Sequence, residues 1–151
     1  MASKTKSSSR RKALAAAALG LAVASSAAAA KFWELKKEKV GGPVRSGHVL
    51  FLSGIGGWYP NRRPDGLGDV QQQTRDTLTI MKESLTRAGT SMGNVLKVQV
   101  SLVDPEKNWP GMNDAYNEFF TDPKPVRSYF GATGFRRPGQ LLQIDCIAYI
   151  D

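Results

Sequence analysis

The strongest helical pattern in the sequence follows Asp69. Apolar side chains recur there at helical intervals and fall near one face: Val70, Leu78, Met81, Leu85 and Ala88. Asp69 is a predicted N-cap, Gln72 three residues later could complete a capping box, and Gly89 stands where the helix would end. The pattern therefore predicts an amphipathic helix between Asp69 and Gly89.

Two segments alternate apolar and polar residues with a period of two, as strands with one buried face do. They are VLKVQVSLVD, 95–104, and LLQIDCIAYI, 141–150. In the second, every even position from Leu142 to Ile150 is apolar, whereas the odd positions include Gln143 and Asp145. We expect the even face to lie against the hydrophobic core.

The remaining segments complete the predicted order of elements. KFWELKKEKV, 31–40, indicates a short edge strand, and HVLFLSG, 48–54, a buried one. Asn108 is the predicted cap of a second helix. The apolar stripe of that helix is Trp109, Met112, Tyr116 and Phe119 or Phe120. With a strand around Arg127, this order predicts an α+β domain: a mixed β-sheet covered on one face by two helices.

The formal net charge of +8 is concentrated at the N-terminus. Residues 1–30 hold five basic side chains, no acid and an Ala-rich apolar stretch before SSAAAA, the three parts of a cleavable targeting signal. SRRKAL, 9–14, resembles the twin-arginine motif, with Ala13 where Phe is usual. We therefore predict a signal over 1–30, a domain over 31–151 and a periplasmic or secreted protein. The alternative is an organellar transit peptide.

Cysteine and histidine restrict the chemistry. Cys146 and His48 are the single residues of their types, so the chain forms no internal disulfide and shows no metal-ligand spacing. Nothing near either residue supports a Cys–His nucleophilic pair. We predict no metal site.

Two charged residues stand at unusual positions. Arg127 interrupts an apolar strand, and a guanidinium is suited to gripping a carboxylate or phosphate. Asp145 shares the odd face of the last strand with Leu141, Ile147 and Tyr149. That much apolar surface predicts a second subunit on this face. The alternative is that Asp145 and Arg127 form an ion pair that only holds the structure.

Several segments resemble, in order and spacing, the RidA family, also called YjgF or reactive intermediate deaminases. They are SGIGG (53–57), the helix-and-strand segment 68–104, MNDAYNEFF (112–120), PVRSYF (125–130) and the final strand LLQIDCIAYI. The resemblance extends from about Pro43 to Ile150. It implies a chorismate-mutase-like fold and a homotrimer with active sites between subunits.

The resemblance also implies a reaction and roles for residues. The reaction is cofactor-free hydrolysis of 2-imino acids and their enamine tautomers to 2-oxo acids and ammonia, as in 2-iminobutanoate/2-iminopropanoate deaminases. By position, Arg127 would bind the substrate carboxylate, and Asp145 would hold the attacking water. Asn113, Tyr129 and the Ser53–Gly54 corner would line the pocket.

Two residues depart from the family pattern. Asp145 is one methylene shorter than the usual glutamate, and Tyr129 replaces a cysteine found in many members. An RNA-acting, endoribonuclease-like protein and a non-catalytic trimer that binds carboxylates remain as alternatives. Nucleic acid is not an expected partner, because without the leader the charge falls to +3 and no stripe of basic and aromatic residues remains.

Overall fold

The computed structural model describes residues 36–57 and 66–150. The predicted signal over 1–30 lies outside these residues. Strands and helices in the described part are β1 (Lys37–Lys39), β2 (Val44–Ser46), β3 (Val49–Gly56), α1 (Val70–Arg87), β4 (Val95–Val103), α2 (Pro105–Asn117), β5 (Val126–Ala132) and β6 (Leu142–Tyr149). No helix among them is long and apolar enough to cross a membrane.

The strands form one sheet in the order β1-β2-β3-β6-β4-β5. β4 and β5 are parallel because α2 connects them as a crossover, and the other neighbours are antiparallel. The predicted mixed sheet with two helices on one face is confirmed. The short strand β2 was not predicted.

Helix α1 begins and ends where the local signals placed it. The Asp69 carboxylate accepts a 2.9 Å hydrogen bond from the Gln72 backbone N–H. The Gln72 side chain donates to Asp76 instead of returning to Asp69, so the capping box is only half formed. Gly89, just past the end of the helix, has a φ of 86°, which glycine adopts at little cost.

The prediction that Asn108 caps the second helix is wrong. Helix α2 begins four residues earlier than that cap implies, with Pro105 as its first residue and Asp104 as its N-cap. Asn108 is buried inside the helix, and its side-chain amide donates a 2.7 Å hydrogen bond to the Val103 carbonyl. Asn108 therefore ties the helix to the end of β4.

The core lies between the sheet and the two helices. The even positions of β6 are buried, as predicted, and face α1 and α2 together with alternate residues of β3 and β4. The opposite face, called the open face below, carries Phe51, Phe130 and Tyr149, which are 48%, 56% and 37% exposed. This contrast between the two faces decides where each candidate site residue lies.

Candidate functional site

The sheet register places Arg127 on the helix-covered face. Arg127 on β5 is paired with Val98 on β4, which is paired in turn with Cys146 on β6. Because residues paired across strands point to the same face, and Val98 and Cys146 are buried under the helices, the Arg127 side chain points toward α2. Its Nη2 donates a 2.8 Å hydrogen bond to the Asn113 side-chain oxygen.

Aromatic rings surround the same guanidinium. The Cζ atom of Arg127 lies 4.2 Å from the ring centroid of Tyr116 and 5.0 Å from that of Trp109, both within cation–π range. Tyr129 is 51% exposed and packs its ring against Trp109, with the centroids 4.5 Å apart. Arg127, Asn113 and Tyr129 are therefore grouped at the border between β5 and α2.

One donor of this guanidinium has no hydrogen-bond partner. Nη1 of Arg127 is buried, and it makes no hydrogen bond in the structure. An unpaired buried donor is costly, and each such atom in a folded protein needs an explanation. A bound anion would satisfy it, because guanidinium N–H groups pair well with the oxygens of a carboxylate.

Asp145 lies on the open face. It is paired with Gln99 on β4, which is paired with Ser128 on β5, one position away from the row that holds Arg127. The residue is half-buried, and this burial raises the pKa of its carboxyl, while the positive charge of Lys97 acts in the opposite direction. An acid whose pKa is raised can accept and return a proton nearer neutrality.

The Ser53–Gly54 corner interrupts the pairing of β3 with β6. The register shifts between Leu52 and Ile55, so Ser53 and Gly54 form a bulge, and both are exposed. A Cβ atom on Gly54 would collide with the side-chain amide of Gln143. The corner is thus in contact with Gln143, two residues from Asp145 on the same strand.

A single chain does not bring Arg127 and Asp145 together. Their side chains project from opposite faces of the sheet, so the alternative of an ion pair between them within one chain is excluded. Their meeting in one pocket, which the sequence predicts between subunits, stays a prediction.

Sequence reasoning missed two residues that contact Arg127. Trp109 and Tyr116 were assigned only to the apolar stripe of the second helix. Together with Asn113 they are spaced by four and three residues, which places all three on one helical face. The sequence shows that spacing, but it does not show that the strand with Arg127 packs beside this helical face.

The lone cysteine and histidine do not form a catalytic pair. Cys146 is 2% exposed, and burial raises the pKa of its thiol to about 12, which leaves it protonated near neutral pH. A ring nitrogen of His48 forms a 2.9 Å hydrogen bond with the Ile150 carbonyl. Among residues 36–57 and 66–150, no cluster of His, Cys, Asp or Glu side chains is able to hold a metal ion.

The chain resembles a known protein family over most of its length. A family model described as endoribonuclease L-PSP matches residues 41–150. Protein mmf2, mitochondrial, of Schizosaccharomyces pombe is 33% identical over 74% of this chain and 91% of its own. The 2-iminobutanoate/2-iminopropanoate deaminase of Dermatophagoides farinae is 27% identical over 72% of this chain and 83% of its own.

Two further similarities bear on compartment and fold. The chloroplastic Reactive Intermediate Deaminase A of Arabidopsis thaliana is 28% identical over 70% of this chain and 55% of its own. The crystal structure of RidA from an Antarctic Psychrobacter species is 25% identical, with a TM-score of 0.65 over 72% of this chain and 86% of its own.

The expectation of a periplasmic or secreted protein is wrong by this comparison. The relatives from yeast and plant are named as mitochondrial and chloroplastic proteins, and neither is named as exported. An Arg- and Ala-rich leader without acids is shared by export signals and transit peptides, so composition alone could not separate them.

Proposed function

This chain belongs to the endoribonuclease L-PSP family, which includes the RidA deaminases, and from that premise we propose that it hydrolyses 2-imino acids to 2-oxo acids and ammonia. The proposal rests on the resemblance to deaminases and on the site around Arg127. The proposed substrates are 2-iminopropanoate and 2-iminobutanoate, or their enamine tautomers.

The observation that carries the proposal is the state of the Arg127 guanidinium. One nitrogen is held by Asn113, the centroids of two aromatic rings lie 4.2 and 5.0 Å from Cζ, and Nη1 lacks a partner. A 2-imino acid carries a planar carboxylate next to its C=N bond, which matches a planar cation with an unsatisfied N–H. Since Nη1 is enclosed, the carboxylate reaches it only after a small side-chain movement.

The pocket is proposed to need two subunits of a homotrimer. Arg127 lies on the edge strand β5, and Asp145 lies on the open face with exposed apolar neighbours such as Phe51 and Tyr149. A second copy that covers this face would bury those apolar side chains. It would also bring an Arg127 from one subunit to the Asp145 and Ser53–Gly54 corner of the next.

The proposed mechanism uses protein groups alone. Arg127 and Asn113 hold the substrate so that the imine carbon faces a water molecule near Asp145. Water adds to the C=N carbon, and Asp145 accepts a proton from it as the C–O bond forms. The nitrogen is protonated, the C–N bond of the carbinolamine breaks, and ammonia leaves with formation of the 2-oxo acid.

The test of this function is a coupled assay. An amino-acid oxidase generates 2-iminopropanoate from alanine, and the release of pyruvate and ammonia is followed with and without the purified protein. Acceleration in proportion to protein concentration supports the proposal. Rates equal to the uncatalysed hydrolysis contradict it and favour a trimer that binds carboxylates without turnover.

Mixing two inactive variants tests the sharing of the pocket between subunits. An Arg127→Ala chain and an Asp145→Asn chain, refolded together in equal amounts, form some sites with both native residues. Random assembly into a trimer restores about a quarter of the wild-type sites. Each variant refolded with itself is the control, and the absence of any recovery in the mixture argues against a site built from two chains.

The raised pKa of Asp145 predicts how its removal changes stability. Burial favours the neutral acid, so the stability this residue contributes is complete below its ordinary pKa and is lost as pH rises through the higher pKa of the folded state. Asp145→Asn is therefore expected to raise Tm at pH 7 and to leave it nearly unchanged at acid pH. Thermal unfolding of both proteins across pH checks this, and a lower Tm of the variant at pH 7 contradicts it.

A second function, action on RNA, is favoured by the description of the family model as an endoribonuclease. Arg136 and Arg137, on the turn between β5 and β6, are the nearest basic pair in sequence to the site strand. RNA binding through phosphates weakens steeply with added salt, so titration of RNA binding against salt concentration distinguishes this function from deamination.

A further inference from the structure

The geometry around Arg127 includes two aromatic rings to which the proposed reaction assigns no role. Trp109, Asn113 and Tyr116 project from one face of α2 toward the same guanidinium. Asn113 bonds one nitrogen, while the rings of Tyr116 and Trp109 lie 4.2 and 5.0 Å from Cζ. We call the two rings the aromatic clamp.

The clamp acts on a side chain that otherwise has many rotamers. A free arginine loses much conformational entropy when it binds a carboxylate, and that loss weakens binding. Two aromatic faces restrict the plane of the guanidinium before any ligand arrives, and the hydrogen bond to Asn113 restricts its rotation. The Arg127 side chain therefore loses this conformational entropy when the chain folds, and it loses less when the carboxylate binds.

The hydroxyl of Tyr116 has no part in this arrangement. Tyr116 is 3% exposed, its Oη atom makes no hydrogen bond, and burial raises the pKa of the phenol to about 12. The group is therefore a neutral ring at working pH, and its ring face is what meets Arg127. Replacing this residue with phenylalanine removes an unsatisfied buried hydroxyl, so we expect an unchanged or higher Tm.

We propose that Trp109 and Tyr116 are positioning residues that orient the Arg127 guanidinium and so determine the affinity for the substrate carboxylate. This inference rests on the proposed function. The clamp touches the arginine and not the reacting atoms, so it acts on substrate binding. The chemical step at the imine carbon depends on the water and on Asp145 instead.

Five variants separate the clamp from ordinary packing. Trp109→Leu and Tyr116→Leu remove one face each, whereas Trp109→Phe and Tyr116→Phe keep an aromatic face. Phe120→Leu is the matched control: Phe120 is buried, and its ring centroid lies 4.6 Å from that of Tyr116. This control loses a comparable buried ring next to the clamp.

Kinetics and ligand binding give the first measurement. Both leucine variants are expected to raise KM for 2-iminopropanoate, and Kd for 2-oxobutanoate by calorimetry, about three- to tenfold, with kcat within about twofold of the wild type. The phenylalanine variants and Phe120→Leu stay within about twofold in both constants. The proposal is overturned if the leucine variants bind 2-oxobutanoate as tightly as the wild type, or if Phe120→Leu loses as much affinity as they do.

Nuclear magnetic resonance gives a measurement that needs no ligand and no activity. Rotation about the Cζ–Nε bond of Arg127 is expected to be slow in the wild type and in Phe120→Leu, and faster in either leucine variant. Arg45, whose Nε donates to the nearby Gly47 carbonyl and whose side chain contacts no aromatic ring among the described residues, is the internal reference. If Arg127 rotates as fast as Arg45 in the wild type, the clamp is overturned, whatever the assay shows.

The two readouts also separate the clamp from the function on which it rests. Unchanged binding of 2-oxobutanoate by Arg127→Ala would refute the carboxylate site. The rotation measurement would then decide by itself whether the rings hold the arginine.

Discussion

Replacing Arg127 with alanine is expected to lower kcat/KM for 2-iminopropanoate by about 100- to 1000-fold. The guanidinium is the only cation within the group formed by Asn113, Trp109, Tyr116 and Tyr129, as far as the described residues show. Losing two charge-assisted hydrogen bonds to a carboxylate costs roughly 3–4 kcal/mol, and each 1.36 kcal/mol is tenfold in rate. The coupled assay for pyruvate release measures the effect.

The control for this prediction is Arg45→Ala. Arg45 lies on β2, and its Nε donates to the Gly47 carbonyl near the surface. Removing it takes away the same charge without touching the β5–α2 border, so kcat/KM is expected to stay within about twofold. Equal activity of Arg127→Ala and the wild type would remove the basis of the proposed function.

Replacing Gln73 with leucine is expected to reduce the free energy of unfolding by about 3–5 kcal/mol. Gln73 is fully buried, and its amide donates to the carbonyls of Gly68 and Gly139 at 3.1 and 3.0 Å. Its oxygen accepts a 2.9 Å hydrogen bond from the Leu141 N–H. Leucine has a similar size but leaves these three backbone groups without partners. Each unpaired buried group lowers the free energy of unfolding by roughly 1–3 kcal/mol.

Urea unfolding at one fixed protein concentration measures this loss, since any assembly of subunits adds to the apparent stability. Gln71→Leu is the matched control, because Gln71 lies on the same helical turn and is half-exposed. We expect its change to stay within about 0.5 kcal/mol. A loss below about 1 kcal/mol for Gln73→Leu would show that the three groups find other partners.

The sequence predicted an element accurately where unambiguous local signals mark its ends. Helix α1 was predicted almost to the residue because its cap at Asp69 and its end at Gly89 are local signals. The cap of α2 was misplaced because Asn108, a residue type that favours N-caps, was preferred to Pro105, which marks the true start of the helix. The Asn108 amide instead bonds the Val103 carbonyl five residues earlier. β2 was missed because a three-residue strand is defined by its pairing with β1 and β3.

In the candidate site, the sequence indicated which residues are unusual but not how their side chains are arranged. Arg127 was recognisable because a charge inside an apolar strand breaks the expected pattern, and Asp145 because it shares its face of the last strand with apolar residues such as Ile147 and Tyr149. Neither pattern gave the relative direction of the two side chains, which depends on the pairing of β5, β4 and β6. The aromatic clamp was hidden for the same reason, because its rings and its arginine come from different elements.

The amino-acid sequence alone determined the order of the longer elements, the buried face of β6 and the resemblance to one family, since periodicity and spacing are local properties of the chain. Only the tertiary structure decided that Arg127 faces α2 while Asp145 faces away, and that Gln73 is buried as a bridge between backbone segments. Strand register and helix packing bring together residues far apart in sequence, and a one-residue change of register reverses the face on which every side chain of a strand lies.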